Sequence, residues 1–200
     1  MLKISNLSFH YTDQLLLHNI SFIVHPGSLL YLRGNNGAGK TTLLKLIAGI
    51  LCNYTGEIVF NQQLITQDLQ YYQQNLCYIG HKLGFSPLLT IRENCKFFFN
   101  KSINFNTQQL EEHLEKFNLL KVADIPCGRL SAGQCKRLNL MRLVMSAAKL
   151  WLLDEPFTAL DEQTLVLFTA VITEHLQQNG LIIFTSHQLI FWLPSEEYSL

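Results

Sequence analysis

The 200-residue sequence has no surplus of either charge. Fifteen Lys and Arg balance fifteen Asp and Glu, which excludes a general field for binding polyanions, so nucleic acid is not expected as a partner. Charge is scarce altogether, at 15% of residues. Fourteen Asn and fourteen Gln nearly equal the thirty charged residues, and a surface so rich in neutral amide repels itself weakly and suits a partner. No apolar run approaches the roughly 18–20 residues of a membrane span. No basic segment followed by an apolar one opens the chain, which predicts a cytosolic protein without a signal peptide. The five cysteines (Cys52, Cys77, Cys95, Cys127 and Cys135) form no CxxC and have no His at ligand spacing, so buried free thiols are expected. Apolar residues are plentiful at 48%, enough for a sizeable core.

Residues 2–9, 20–24 and 28–33 read as strands, the last following a turn at Pro26-Gly27. A glycine-rich loop comes next, then helical spacing over 40–50 through Leu43, Leu44, Leu46, Ile47 and Ile50, with strand character returning over 56–65. The middle is helical. Thr90 and Glu93 make a capping box before an aromatic helix with Phe97, Phe98 and Phe99, and Thr107 starts a second helix through Leu110, Leu114 and Phe117. After Gly128 follow a helix, a strand at 150–153, a helix over about 162–178, a strand at 181–185 and a last apolar turn. Strands alternating with helices on both sides of a helical insertion predict a mainly parallel α/β core.

Gly34-Asn35-Asn36-Gly37-Ala38-Gly39-Lys40-Thr41 fits GxxxxGK[ST], with a predicted strand before it and a predicted helix after it. Glycines let backbone N–H groups close around phosphate oxygens, and the helix start adds dipole and unpaired donors. Lys40 reaches the β and γ phosphates in such a loop, and Thr41 offers its hydroxyl to Mg²⁺. The apolar strand 150–153 ends in Asp154 and Glu155, which places both acids at the carboxyl end of the sheet, beside the loop. Asp154 there supports Mg²⁺ and Glu155 orients the attacking water. The plainer reading of the pair is a strand end followed by a helix cap.

Leu130-Ser131-Ala132-Gly133-Gln134 opens a helix, with Ser131 and Gln134 in an S-x-x-Q capping box. A helix start with a serine hydroxyl and a close-approach glycine is also a second anion site, far in sequence from the first. Two phosphate-binding helix ends in one chain suggest two copies sandwiching nucleotide, each completing the other's site.

With these motifs in order, the sequence resembles the ATP-binding-cassette (ABC) ATPases over nearly its whole length. The resemblance implies a P-loop NTPase core with a mainly parallel sheet, antiparallel N-terminal strands and a helical subdomain. It gives a single domain over 1–200, with that subdomain at about 85–148. In that family's terms, Tyr11 stacks on adenine and residues 34–42, ending in Thr42, form the Walker A loop. Ser131, Gly133 and Gln134 belong to the signature, with Ala132 replacing its first glycine. Asp154 and Glu155 are Walker B and the catalytic glutamate, Ala159-Leu160-Asp161 the D-loop, and His187 the switch histidine that acts with Lys40 and Glu155. Where most members have the Q-loop glutamine, counting back from Thr90-Ile91-Arg92-Glu93-Asn94 leads to His81, a metal-site candidate; Gln73 and Gln74 upstream are the alternative.

The flavour of 79–81, 130–134, 151–161 and 186–188 is similar to the ATPase subunits of haem exporters for cytochrome c maturation. That implies ATP and Mg²⁺ as ligands, a homodimer of ATPase subunits, and integral membrane partners, CcmB and CcmC. It also implies work at the cytoplasmic face of the bacterial inner membrane. Other ABC exporters of lipid, lipoprotein or peptide share the motor motifs, and a soluble ABC remodelling ATPase or a nucleotide-gated scaffold is the more distant alternative. Phe85 and Phe97–Phe99 offer either a membrane-subunit contact or internal packing.

Overall fold

The computed structural model describes residues 1–12, 14–80, 84–99, 106–158, 160–186 and 195–200. Two compact units emerge: a sheet unit of residues 1–81, 148–158 and 172–200, and a helical unit of 82–147 and 159–171.

The sheet unit holds two sheets. In the first, β1 (Leu2–Tyr11) lies between β2 (Gln14–Val24) and β4 (Tyr54–Phe60), all antiparallel, and β5 (Gln63–Leu64) closes the order β2-β1-β4-β5. The stretch 56–65 is thus a hairpin and no single strand, because Asn61 and Gln62 turn the chain at φ 49° and 68°. Gly56, at φ 93°, passes so close to β1 that an added Cβ would lie 2.5 Å from the Ser5 and Asn6 carbonyl oxygens.

The second sheet is parallel, in the order β6-β7-β8-β3-β9, with β3 at Leu29–Arg33, β6 at Leu76–Ile79, β7 at Leu150–Asp154, β8 at Leu181–Thr185 and β9 at Glu196–Ser199. Strands β7 and β8 are buried at every residue, which is why their sequences are apolar runs without alternation. The strand β9 does not stand out in the sequence. It pairs with β3, Tyr198 packs at a tilt against Phe22 with ring centroids 4.9 Å apart, and Arg33 meets Glu197 at 3.6 Å.

Helix α1 (Lys40–Ile47) follows β3 through the glycine-rich loop. It is shorter than the 40–50 spacing predicts, since Gly49 turns left-handed at φ 67°. Leu43, Leu44, Leu46 and Ile47 of α1 join Leu30, Leu32, Leu150, Leu152 and Ile183 of the parallel sheet and Leu2, Ile4 and Ile58 of the antiparallel one in a common core. Helix α2 (Leu69–Gln74) packs before β6, and its Tyr72 hydroxyl donates to the Ile47 carbonyl at 2.6 Å.

In the helical unit, α3 (Ile91–Phe99) buries Ile91 and Cys95, α4 (Thr107–Lys116) buries Leu110 and Leu114 with Phe117 buried just after it, and α5 (Ala132–Met145) buries Leu138 and Met141. Helix α6 (Glu162–Gln177) runs from this unit into the other. The capping box at Thr90 and Glu93 is present. Buried Asn94 ties the segment ahead of α3 together, donating to the carbonyls of Ser86, Leu89 and Thr90 and accepting from Ser86 N at 2.9 Å. The aromatic cluster divides. Phe85 and Phe98 meet edge to face with Arg142 over both rings, whereas Phe97 is 75% exposed. All five cysteines are free, and Cys52 is exposed, against the expectation of burial. No helix among the described residues is long and apolar enough to cross a membrane.

Candidate functional site

The site of the sheet unit begins where β3 ends. Gly37 and Gly39 take φ 84° and 95°, and Gly39 is the residue from whose carbonyl α1 starts, accepting Leu43 N at 2.8 Å. A side chain at Gly39 would meet the Leu17 methyl at 2.7 Å, so both the turn and the packing require glycine. Lys40 folds back over the loop and its buried ammonium donates to the carbonyls of Gly34 at 2.7 Å and Asn35 at 3.0 Å. Ala38 N donates to Asn35 O at 3.1 Å, fixing the loop's interior turn.

Strand β7 delivers two buried acids to the same place. The Thr41 hydroxyl donates to Asp154 Oδ2 at 2.9 Å. Thr185, at the end of β8, donates its hydroxyl to Asp154 Oδ1 at 2.8 Å and accepts Glu155 N–H at 3.0 Å. Glu155 adopts φ 54°, a left-handed conformation uncommon for a non-glycine residue. A cavity of about 350 Å³ is lined by Asn36, Gly37, Gly39, Lys40, Thr41, Thr42, Asp154 and Glu155, with Leu16 as an apolar wall.

The surrounding phenols remain protonated. Burial, and then the charge of Asp154, raise the Tyr78 hydroxyl to about 12. Burial chiefly raises Tyr31 as well, with Glu155 and Glu197 adding to it against Arg33. A hydroxyl and a carboxylate are hard oxygen donors, the chemistry that Mg²⁺ prefers. The described residues hold no cluster of three His, Cys, Asp or Glu.

The remaining candidates lie elsewhere. Tyr11 ends β1, 65% exposed, with its ring edge to face on Phe9. Ser131, Gly133 and Gln134 belong to the helical unit, where Ser131 N donates to Gln134 Oε1 at 2.8 Å and Gln134 N to Ser131 Oγ at 3.2 Å, a complete capping box. Asp161 accepts from Thr164 N at 2.7 Å, and hydrogen bonding from the Thr164 side chain, then from its backbone N–H, holds the Asp161 carboxyl below the usual carboxylate range. Gln73 and Gln74 lie on α2, with β6 following them. His81, Ala159 and His187 lie outside the described residues.

Two residues were not singled out by the sequence. Leu16 carried no signal beyond being apolar. Thr185 had one: it breaks the apolar run 181–184 with a hydroxyl, and pairing of β7 with β8 sets it opposite Asp154.

A glycine loop running from an interior parallel strand into a helix, with a threonine hydroxyl bonded to a strand-end carboxylate, defines a P-loop nucleotide-binding ATPase. The ABC transporter family model matches residues 17–158, and the chain belongs to that family of ATP-binding, ATP-hydrolysing subunits. A relative in Legionella pneumophila (strain Lens), the cytochrome c biogenesis ATP-binding export protein CcmA, is 50% identical over 94% of this chain and 93% of its own length. Its counterpart of the same name in Haemophilus influenzae is 40% identical over 94% of this chain and 89% of its own. Among solved structures, the ATP-binding subunit of an ABC transporter superposes with a TM-score of 0.85, covering 94% of this chain and 80% of that one at 24% identity, a likeness of fold.

Proposed function

We propose that this protein is the ATP-hydrolysing subunit of a haem exporter serving cytochrome c biogenesis. The observation carrying this reading is the 50% identity, over 94% of the chain, with a cytochrome c biogenesis ATP-binding export protein. The site supports the motor half of it. Lys40 and the amides of Gly37–Lys40 take the phosphates, Tyr11 stacks on adenine and Glu155 orients water in line with the γ-phosphate. Thr41 and Asp154 would hold Mg²⁺, with His81 at the Q-loop position; the ion supplies charge neutralisation on the phosphate oxygens. His187 completes the catalytic set. Two copies close head to tail, so that Ser131, Gly133 and Gln134 of one chain meet the γ-phosphate bound by the other.

The chain works at the cytoplasmic face of the bacterial inner membrane with integral membrane subunits, CcmB and CcmC. The helical subdomain at about 85–148 is the part that meets them. Exposed Phe97 and Leu88, the latter 85% exposed, are available for that contact within the helical unit. Complementation tests the reading. In a bacterium lacking its CcmA, this chain should restore holo-cytochrome c, and the Glu155→Gln form should not. Normal ATPase activity without restored cytochrome would assign the chain to another exporter.

A further inference from the structure

We propose that Thr185 is a positioning residue for hydrolysis, acting through both acidic residues of the site; this rests on the roles of Asp154 and Glu155 given above. The register of β7 and β8 sets Thr185 directly opposite Asp154, and Thr185 is wholly buried. A threonine hydroxyl owns a single proton. Glu155 N–H can only donate, and it points at Oγ1 from 3.0 Å. The hydroxyl proton is therefore committed to Asp154 Oδ1, 2.8 Å away. One side chain thus orients a carboxylate with its proton and the following backbone amide with its lone pair.

The two carboxylate oxygens of Asp154 then differ in kind. Oδ2 accepts from Thr41, a residue of the phosphate loop that lines the cavity. Oδ1 is held from β8, inside the sheet, by a group with no other duty toward ligand. Thr185 fixes the carboxylate's plane and leaves Oδ2 toward the cavity. It also holds the amide of a residue in left-handed conformation, φ 54°, which is strained for an L-residue and needs support from its surroundings. The Glu155 side chain leaves the backbone at the angle this conformation dictates. A purely apolar residue would serve β8 equally well, since Leu181–Phe184 are buried and apolar. The hydroxyl at 185 serves the acids.

The test uses the full chain in its transporter assembly, with Thr185→Val, which keeps shape and strand preference, and Thr185→Ser, which keeps the hydroxyl. Rates are expressed per nucleotide-binding site, counted with a fluorescent ATP analogue. Val should lower kcat about 10- to 100-fold with KM for ATP within about twofold. It should also shrink several-fold the gain in analogue affinity that Mg²⁺ gives the parent. Ser should recover kcat to within about threefold of the parent. The proposal is overturned if Val retains the parent's kcat per site and Mg²⁺ response, or if Ser is as impaired as Val. Should Val not fold, Thr185→Cys, of similar size but a weak donor, takes its place with the same expected split. Glu155→Gln is run alongside. Full hydrolysis there overturns the underlying site reading, whereas its loss beside an unaffected Val variant overturns the role of Thr185 alone.

Discussion

Trp151 and His175 lie face to face, ring centroids 3.6 Å apart and planes within 9°, inside the sheet unit. The imidazole occupies the space beside Gly180, where a Cβ would fall 2.2 Å from Nε2. Burial pushes the His175 pKa down from 6.5 to about 4. The unfolded chain therefore binds a proton that the folded chain refuses between those values, so stability is complete above pH 6.5 and falls as pH drops toward 4. The expected loss is about 2 kcal/mol, after discounting for partial solvation. Burial also lowers the His113 pKa, which adds a slope of the same sign, so the measurement is a difference. His175→Phe should flatten the fall in melting temperature between pH 6.5 and 4.5. An unchanged slope would show that His175 titrates normally.

Two substitutions separate binding from turnover. Glu155→Gln should bind ATP with near-parental affinity and hydrolyse it at least about a hundredfold more slowly. Lys40→Ala removes the ammonium held over the Gly34 and Asn35 carbonyls and should weaken ATP binding itself. Equilibrium titration with labelled nucleotide, together with phosphate release, checks both.

Ser131 has a capping duty and a proposed phosphate duty, and they can be pulled apart. Asp is as good an N-cap as Ser, so Ser131→Asp should leave melting unchanged while its charge abolishes hydrolysis. Ser131→Ala should cost about 1 kcal/mol of stability. A fully active Asp variant would reduce Ser131 to a cap.

Gly56→Ala tests the close approach of β4 to β1. With the Ser5 and Asn6 carbonyls 2.5 Å from the new Cβ and φ at 93°, the strands must separate. A destabilisation of about 3 kcal/mol or more is expected in chemical denaturation.

What could be read from the sequence was what is local. The phosphate loop and both capping boxes are encoded within a few neighbouring residues, and the structure bears out those helix starts at Thr90–Glu93 and Ser131–Gln134. The apolar runs of β7 and β8 told of burial on both faces. Elements made by partners were hidden. Glu196–Ser199 has no apolar alternation and becomes a strand because β3 offers its free side, while α2 spans six residues, too few for a helical period. Thr185 was hidden for the same reason, since its meaning lies in the register with Asp154, 31 positions away.

The pairing of β9 with β3 carries a consequence for how the chain is made. Strand β3, which launches the phosphate loop, has β8 on one side and β9 on the other, so residues 29–33 wait for partners at 181–185 and 196–199. Such separations make loop closure the slow step. On a ribosome, the phosphate loop is synthesised well before the strands that brace it, so ATP should be captured only after residues 196–199 have been translated.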